Sequence, residues 1–126
     1  MSAFTINTQG EGNLTAEPVL RETSDGTPVA NMRVAVNRRV PIGDGEYADK
    51  TEYINLVAWR TLATNAANSL SKGDRVVFTG DLRANNYKDN EGNMRYTQEV
   101  HVSSLGVSLR WALAAPVKEK DMAEAS

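Results

Sequence analysis

The stretch Thr51-Glu52-Tyr53-Ile54-Asn55-Leu56-Val57-Ala58-Trp59-Arg60 decides how the rest of the chain is read. Its apolar residues do not recur every three or four positions. They alternate, as in a strand with one buried face. Ile54, Leu56 and Ala58 fall on one side; Tyr53, Asn55, Val57 and Trp59 fall on the other. The first set is a core face. The second mixes an amide with two bulky aromatics between Lys50 and Arg60, which is the composition of a surface. Six residues at about 3.3 Å each put the two rings roughly 20 Å apart, enough to meet different bases of one extended strand. Flat aromatic faces bordered by cations are the chemistry that holds unpaired nucleotides.

Working outward, strand signals dominate. Phe4 to Gly12 is a polar strand candidate ending in glycine, and Glu17 to Arg21 is a short extended piece. Thr23-Ser24-Asp25-Gly26 is a turn by composition. Pro28 to Arg39 alternates again, with Met32, Val34 and Val36 on one side and Asn31, Arg33 and Asn37 on the other. Pro41 to Asp49, with two glycines and little apolar content, reads as a mobile loop. One helix is expected: Leu62, Ala63, Ala66, Ala67 and Leu70 form an apolar stripe, and Lys72-Gly73 supplies its stop.

Arg75 to Tyr87 is a long strand. Val76, Phe78, Leu82 and Ala84 share one face; Thr79, Asp81, Arg83, Asn85 and Tyr87 share the other. Gly80 in its middle points to a bulge. Lys88 to Asn93 is a hairpin tip, and Met94 to Ser104 returns. Apart from the short Glu17–Arg21 piece, three strands, a helix and two strands make a mainly β protein. The economical arrangement is a small closed barrel with the helix between strands three and four.

With 126 residues the chain is one domain by size. No window approaches the roughly 18 apolar residues of a membrane span, so no membrane association is expected, and the location expected is cytoplasmic. Cysteine is absent, which removes disulfides, thiolate chemistry and cysteine-based metal sites. A single histidine, His101, makes a poor metal site and reads as a structural or surface residue. No cofactor is expected. Fourteen Lys and Arg against sixteen Asp and Glu give a net charge of −2. Any nucleic-acid site must therefore be a local basic stripe on an acidic body. No phosphate-binding loop and no nucleophile–base set is present, so a non-enzymatic protein is expected.

Gly12-Asn13-Leu14, Glu17-Pro18, Asp25-Gly26, Val29-Ala30-Asn31, Thr51-Glu52-Tyr53, Leu62-Ala63, Lys72-Gly73, Gly80 with Leu82-Arg83, and Arg95-Tyr96-Thr97 follow one another in order. The ordered set resembles bacterial single-stranded DNA-binding proteins over roughly residues 4–110. Ser108-Leu109-Arg110-Trp111 further resembles their actinobacterial branch, cellular or phage-borne. The resemblance implies an OB-fold, a five-stranded Greek-key barrel over residues 1–111; residues 112–126, Ala-rich and charged with no core pattern, read as a short disordered tail. It also implies a homotetramer and sequence-tolerant binding and protection of single-stranded DNA in replication, recombination or repair. The alternatives are an RNA-binding OB-fold module, also a binding protein, and a primosome-type adaptor, an interaction protein.

The family's stacking aromatics match Tyr53, Trp59 and Tyr87, and a further one falls at Val40, which has no ring to stack. Arg33 and Arg83 share the platform's face and are expected at phosphates, with Arg60, Lys88 and Arg95 as further cations and Asn55 between the rings. The chain ends Met122-Ala123-Glu124-Ala125-Ser126, without the family's acidic, aromatic-closed tip. Recruitment of replication or repair proteins through that tip is therefore not assumed. Leu105 to Trp111 alternates enough to add a strand to a neighbouring subunit.

Overall fold

The computed structural model describes residues 6–117. The expected strand start at Phe4 and most of the expected tail lie outside them. Six strands and one helix follow in order: β1 (Ile6–Leu14), β2 (Val19–Glu22), β3 (Pro28–Gly43), β4 (Glu46–Trp59), α1 (Thr61–Ser69), β5 (Arg75–Lys88) and β6 (Met94–Val107). The sheet runs β1-β5-β6-β4-β3-β2, and β1 also pairs with β3 at Asn13 and Leu14, so five strands close on themselves. Every pairing is antiparallel except β4 with β6. This is the five-stranded barrel of an OB-fold. β2 adds to its rim through β3 alone, and α1 falls between the third and fourth barrel strands.

Alternation builds the core. Met32 and Val34 of β3, Leu56 and Ala58 of β4, Val76 and Phe78 of β5, and Val100 and Val102 of β6 all point inward. Ala63, Ala66 and Leu70 bring the apolar stripe of α1 into the same cluster. The helix stops at Leu70, whose backbone turns extended (ψ 147°), rather than at Gly73. Gly73, at φ 92°, makes the turn beyond it and donates its N–H to the Leu14 carbonyl at 2.8 Å. Among the described residues no helix is long and apolar enough to cross a membrane.

Gly80 sits where the β5–β6 register shifts, as its position in the strand implied. A Cβ there would lie 2.3 Å from the His101 carbonyl oxygen, so the two backbones approach more closely than any side chain allows.

Two expectations change. Pro41 to Asp49 is not a mobile loop: β3 runs to Gly43, β4 starts at Glu46, and the pairing continues through Val40↔Ala48 and Pro41↔Tyr47. This ribbon buries no residue between Asn37 and Thr51. Its ladder hydrogen bonds, not apolar burial, make it a strand pair. Ala84 is exposed rather than in the core, because the β5–β6 ribbon has left the barrel by that point. Leu105 to Val107 pair with Phe78 to Val76 inside the chain's own sheet, and Ser108 donates its N–H to the Arg75 carbonyl at 2.8 Å. The Arg75 and Arg110 guanidinium carbons lie 4.8 and 4.6 Å from the Trp111 ring centre.

Candidate nucleic-acid interface

Four adjacent strands carry a common outer face. Register alone aligns a row across them: Arg83 of β5 faces Glu99 of β6, Glu99 faces Asn55 of β4, and Asn55 faces Arg33 of β3. The next row is Asp81, His101, Val57 and Asn31. Because strand side chains alternate, Tyr53 and Trp59 share this face with Asn55. Tyr87 and Arg95 share it too, opposite each other where the β5–β6 ribbon projects.

Tyr53 is 56% exposed, and the Arg33 guanidinium carbon lies 4.3 Å from its ring centre. Arg33 faces Asn55, so it reaches Tyr53 along the diagonal, a separation that long side chains span. The cation holds the ring by its π-electrons and stays at the surface.

Trp59 is held differently. Its indole Nε1–H donates to His101 Nδ1 at 3.0 Å, with the two ring planes 17° apart. An accepting Nδ1 leaves the imidazole proton on Nε2, which donates to Glu99 Oε1 at 2.9 Å. The chain Trp59–His101–Glu99 thus fixes the indole's orientation. Val29, directly opposite Trp59, and Val57, opposite His101, are buried although neither belongs to the barrel's interior cluster. They lie on the face these two rings occupy. Val57 was expected at the surface and is buried instead. Trp59 itself is 39% exposed.

Arg95 donates from Nε to Asp89 Oδ2 at 2.8 Å, and the other oxygen of Asp89 accepts the N–H groups of Glu91 and Asn93, both at 2.9 Å. The Arg95 ion pair, followed by these backbone donors, holds the Asp89 carboxyl below the usual carboxylate range. Arg95 is therefore built into the hairpin turn beside Tyr87. Lys88 pairs with Met94 and projects from the reverse side of the ribbon. Arg60 lies where β4 gives way to α1, at φ 62°, with its N–H on the Pro28 carbonyl at 2.8 Å. Of the nine residues singled out from sequence, Tyr53, Trp59, Tyr87, Asn55, Arg33, Arg83 and Arg95 share one face. Lys88 and Arg60 do not. Val40 lies opposite Ala48 on the reverse side.

Two residues of this face escaped the sequence reading. His101 gave no local signal, since its bond to Trp59 spans 42 positions and needs the parallel β4–β6 register. Tyr47 did give one. It precedes Tyr53 by the same six residues that separate Tyr53 from Trp59, but it fell inside the supposed loop.

Residues 7–108 match the model of the Single-strand binding protein family. The chain is 42% identical over 105 residues to Single-stranded DNA-binding protein 1 of Tropheryma whipplei (strain Twist), covering 82% of this chain and 56% of that protein. Against the Single-stranded DNA-binding protein of Mycobacterium leprae (strain TN) identity is also 42%, covering 82% and 62%. The chain thus spans less than two thirds of the length of these curated relatives. Among solved structures, the small single-stranded DNA-binding protein from Streptomyces coelicolor is 31% identical, with a TM-score of 0.70 covering 84% of this chain and 96% of that one. Since the family match starts at the second residue of β1 and runs past the end of β6, the chain belongs to the single-strand binding protein family.

Proposed function

We propose that this protein binds and covers single-stranded DNA, with little regard to sequence, in replication, recombination or repair. The observation that carries the reading is the Arg33–Tyr53 unit, an exposed ring with a guanidinium on its face at 4.3 Å, set in a row that ends in Arg83. Bases stack on Tyr53, Tyr87 and the exposed part of the Trp59 ring, and Arg33 and Arg83 neutralise phosphates. Each stacked base contributes about 1–3 kcal/mol irrespective of its identity. No bond is made or broken, so function follows from occupancy alone.

Assembly as a homotetramer in the cytoplasm completes the reading. Among the described residues, β1 is bonded to β5 along Ile6–Asn13, but its other edge pairs only at Asn13 and Leu14. An open edge beside exposed Ile6 and Val77 is a surface that a second copy extends.

Titration of poly(dT), duplex DNA and RNA of equal length at two salt concentrations tests the function. The expected result is preference for poly(dT) over duplex at both. Equal affinity for duplex refutes it, and tighter RNA binding favours the RNA module. Light scattering tests the tetramer independently.

A further inference from the structure

We infer that Tyr47 is an additional base-stacking platform, extending the strand's path from the barrel onto the β3–β4 ribbon. The inference rests on the single-strand reading above and adds a site to it.

Between β3 and β4 the register shifts only between Pro41 and Gly43, so β4 alternates without interruption from Tyr47 to Trp59. Tyr47, Tyr53 and Trp59 therefore stand on one face, six residues and roughly 20 Å apart at each step. Their exposures are 60%, 56% and 39%. The cation is repeated as well. Arg33 faces the residue two beyond Tyr53, and Arg39 faces the residue two beyond Tyr47. Each guanidinium reaches back along the same diagonal to its ring, at 4.3 Å for Tyr53 and 5.7 Å for Tyr47. The arginine–tyrosine unit that carries the proposed site thus recurs six residues along both strands.

A packing role for Tyr47 has little to pack on. No residue from Asn37 to Thr51 is buried, so there is no core beneath the ring. Charge on the ribbon is mixed, with Asp44, Glu46, Asp49 and Glu52 outnumbering Arg38, Arg39 and Lys50. A phosphate gains little there. A base gains from the ring, which makes the contribution of Tyr47 insensitive to salt.

Affinity for an oligo(dT) length series at two salt concentrations separates the possibilities, using the full chain with Tyr47→Ala, Tyr47→Leu and Tyr47→Phe. Thermal melting confirms that each is folded. For strands long enough to reach the ribbon, Tyr47→Ala and Tyr47→Leu should bind roughly 5- to 150-fold more weakly, the loss of one stacked base. Short strands should bind all variants alike, Tyr47→Phe should match the parent, and the salt slope should not change. Parental affinity of Tyr47→Ala for long strands overturns the inference, as does equal weakening for short and long ones. If the parent itself prefers duplex, the single-strand reading falls first. If the parent prefers single strands and Tyr47→Ala is unaffected, the loss is confined to Tyr47.

Discussion

Replacing Gly80 with alanine should cost this protein more than its size suggests. The added Cβ would stand 2.3 Å from the His101 carbonyl oxygen, 2.7 Å from the Val102 Cα and 2.8 Å from the His101 carbonyl carbon. All three are backbone atoms, so no side chain can rotate away. Relief requires β5 and β6 to separate by about 1 Å at a register shift, while β6 is also bonded to β4. Overpacking of this kind costs about 1–3 kcal/mol. At about 4 °C per kcal/mol for a chain of this length, the melting temperature should fall by roughly 4–12 °C.

Gly106 is the internal control. A Cβ there meets only Val77 Cγ2, at 4.0 Å. Gly106→Ala should therefore leave stability unchanged or raise it by up to about 1 kcal/mol through the unfolded chain. The assay is thermal unfolding by circular dichroism at one fixed protein concentration, because assembly shifts the apparent midpoint. The clash also falls on the backbone of the residue whose imidazole holds Trp59, so Gly80→Ala should shift tryptophan emission below the transition while Gly106→Ala does not. If Gly80→Ala melts within a degree of the parent, the close approach of β5 and β6 is wrong.

Three further outcomes are expected. Trp59→Ala should abolish most of the fluorescence quench caused by oligo(dT) and weaken binding by about 1–3 kcal/mol, whereas Trp111→Phe should keep the quench; parental affinity in a folded Trp59→Ala removes it from the platform. Arg83→Gln should lower the slope of log affinity against log salt by about 0.7 on any single-stranded sequence, and an unchanged slope takes Arg83 off the phosphates. The Arg75 guanidinium bonded to Glu11 holds that carboxyl below the usual range. Its stabilising contribution is thus complete above the unfolded value near 4.3 and is lost as pH falls through the lower folded value. Melts from pH 6 to pH 3 should show Glu11→Gln losing less stability on acidification than the parent, and identical losses contradict the pairing.

Local chemistry was enough for the elements. Alternation in Pro28–Arg39 and Thr51–Arg60 assigned inward and outward sides, because a half-buried strand must sort its side chains with period two. The apolar stripe of α1 and the interruption at Gly80 were equally plain, and so was the outward face of Tyr53, Arg33, Arg83 and Tyr87. The β3–β4 ribbon was not. Stability there comes from cross-strand hydrogen bonds, and a ribbon that buries nothing shows no apolar face to read.

What the sequence determined by itself is which residues point outward together on each strand, since that depends only on backbone geometry. Which strands lie side by side was decided by the closed barrel. It sets β6 parallel to β4 and so puts His101 beside the Trp59 indole, 42 residues away in the chain. It likewise aligns Arg83, Glu99, Asn55 and Arg33 across four strands. Such neighbours are made by long-range hydrogen-bond register, which leaves no period in the sequence around either partner.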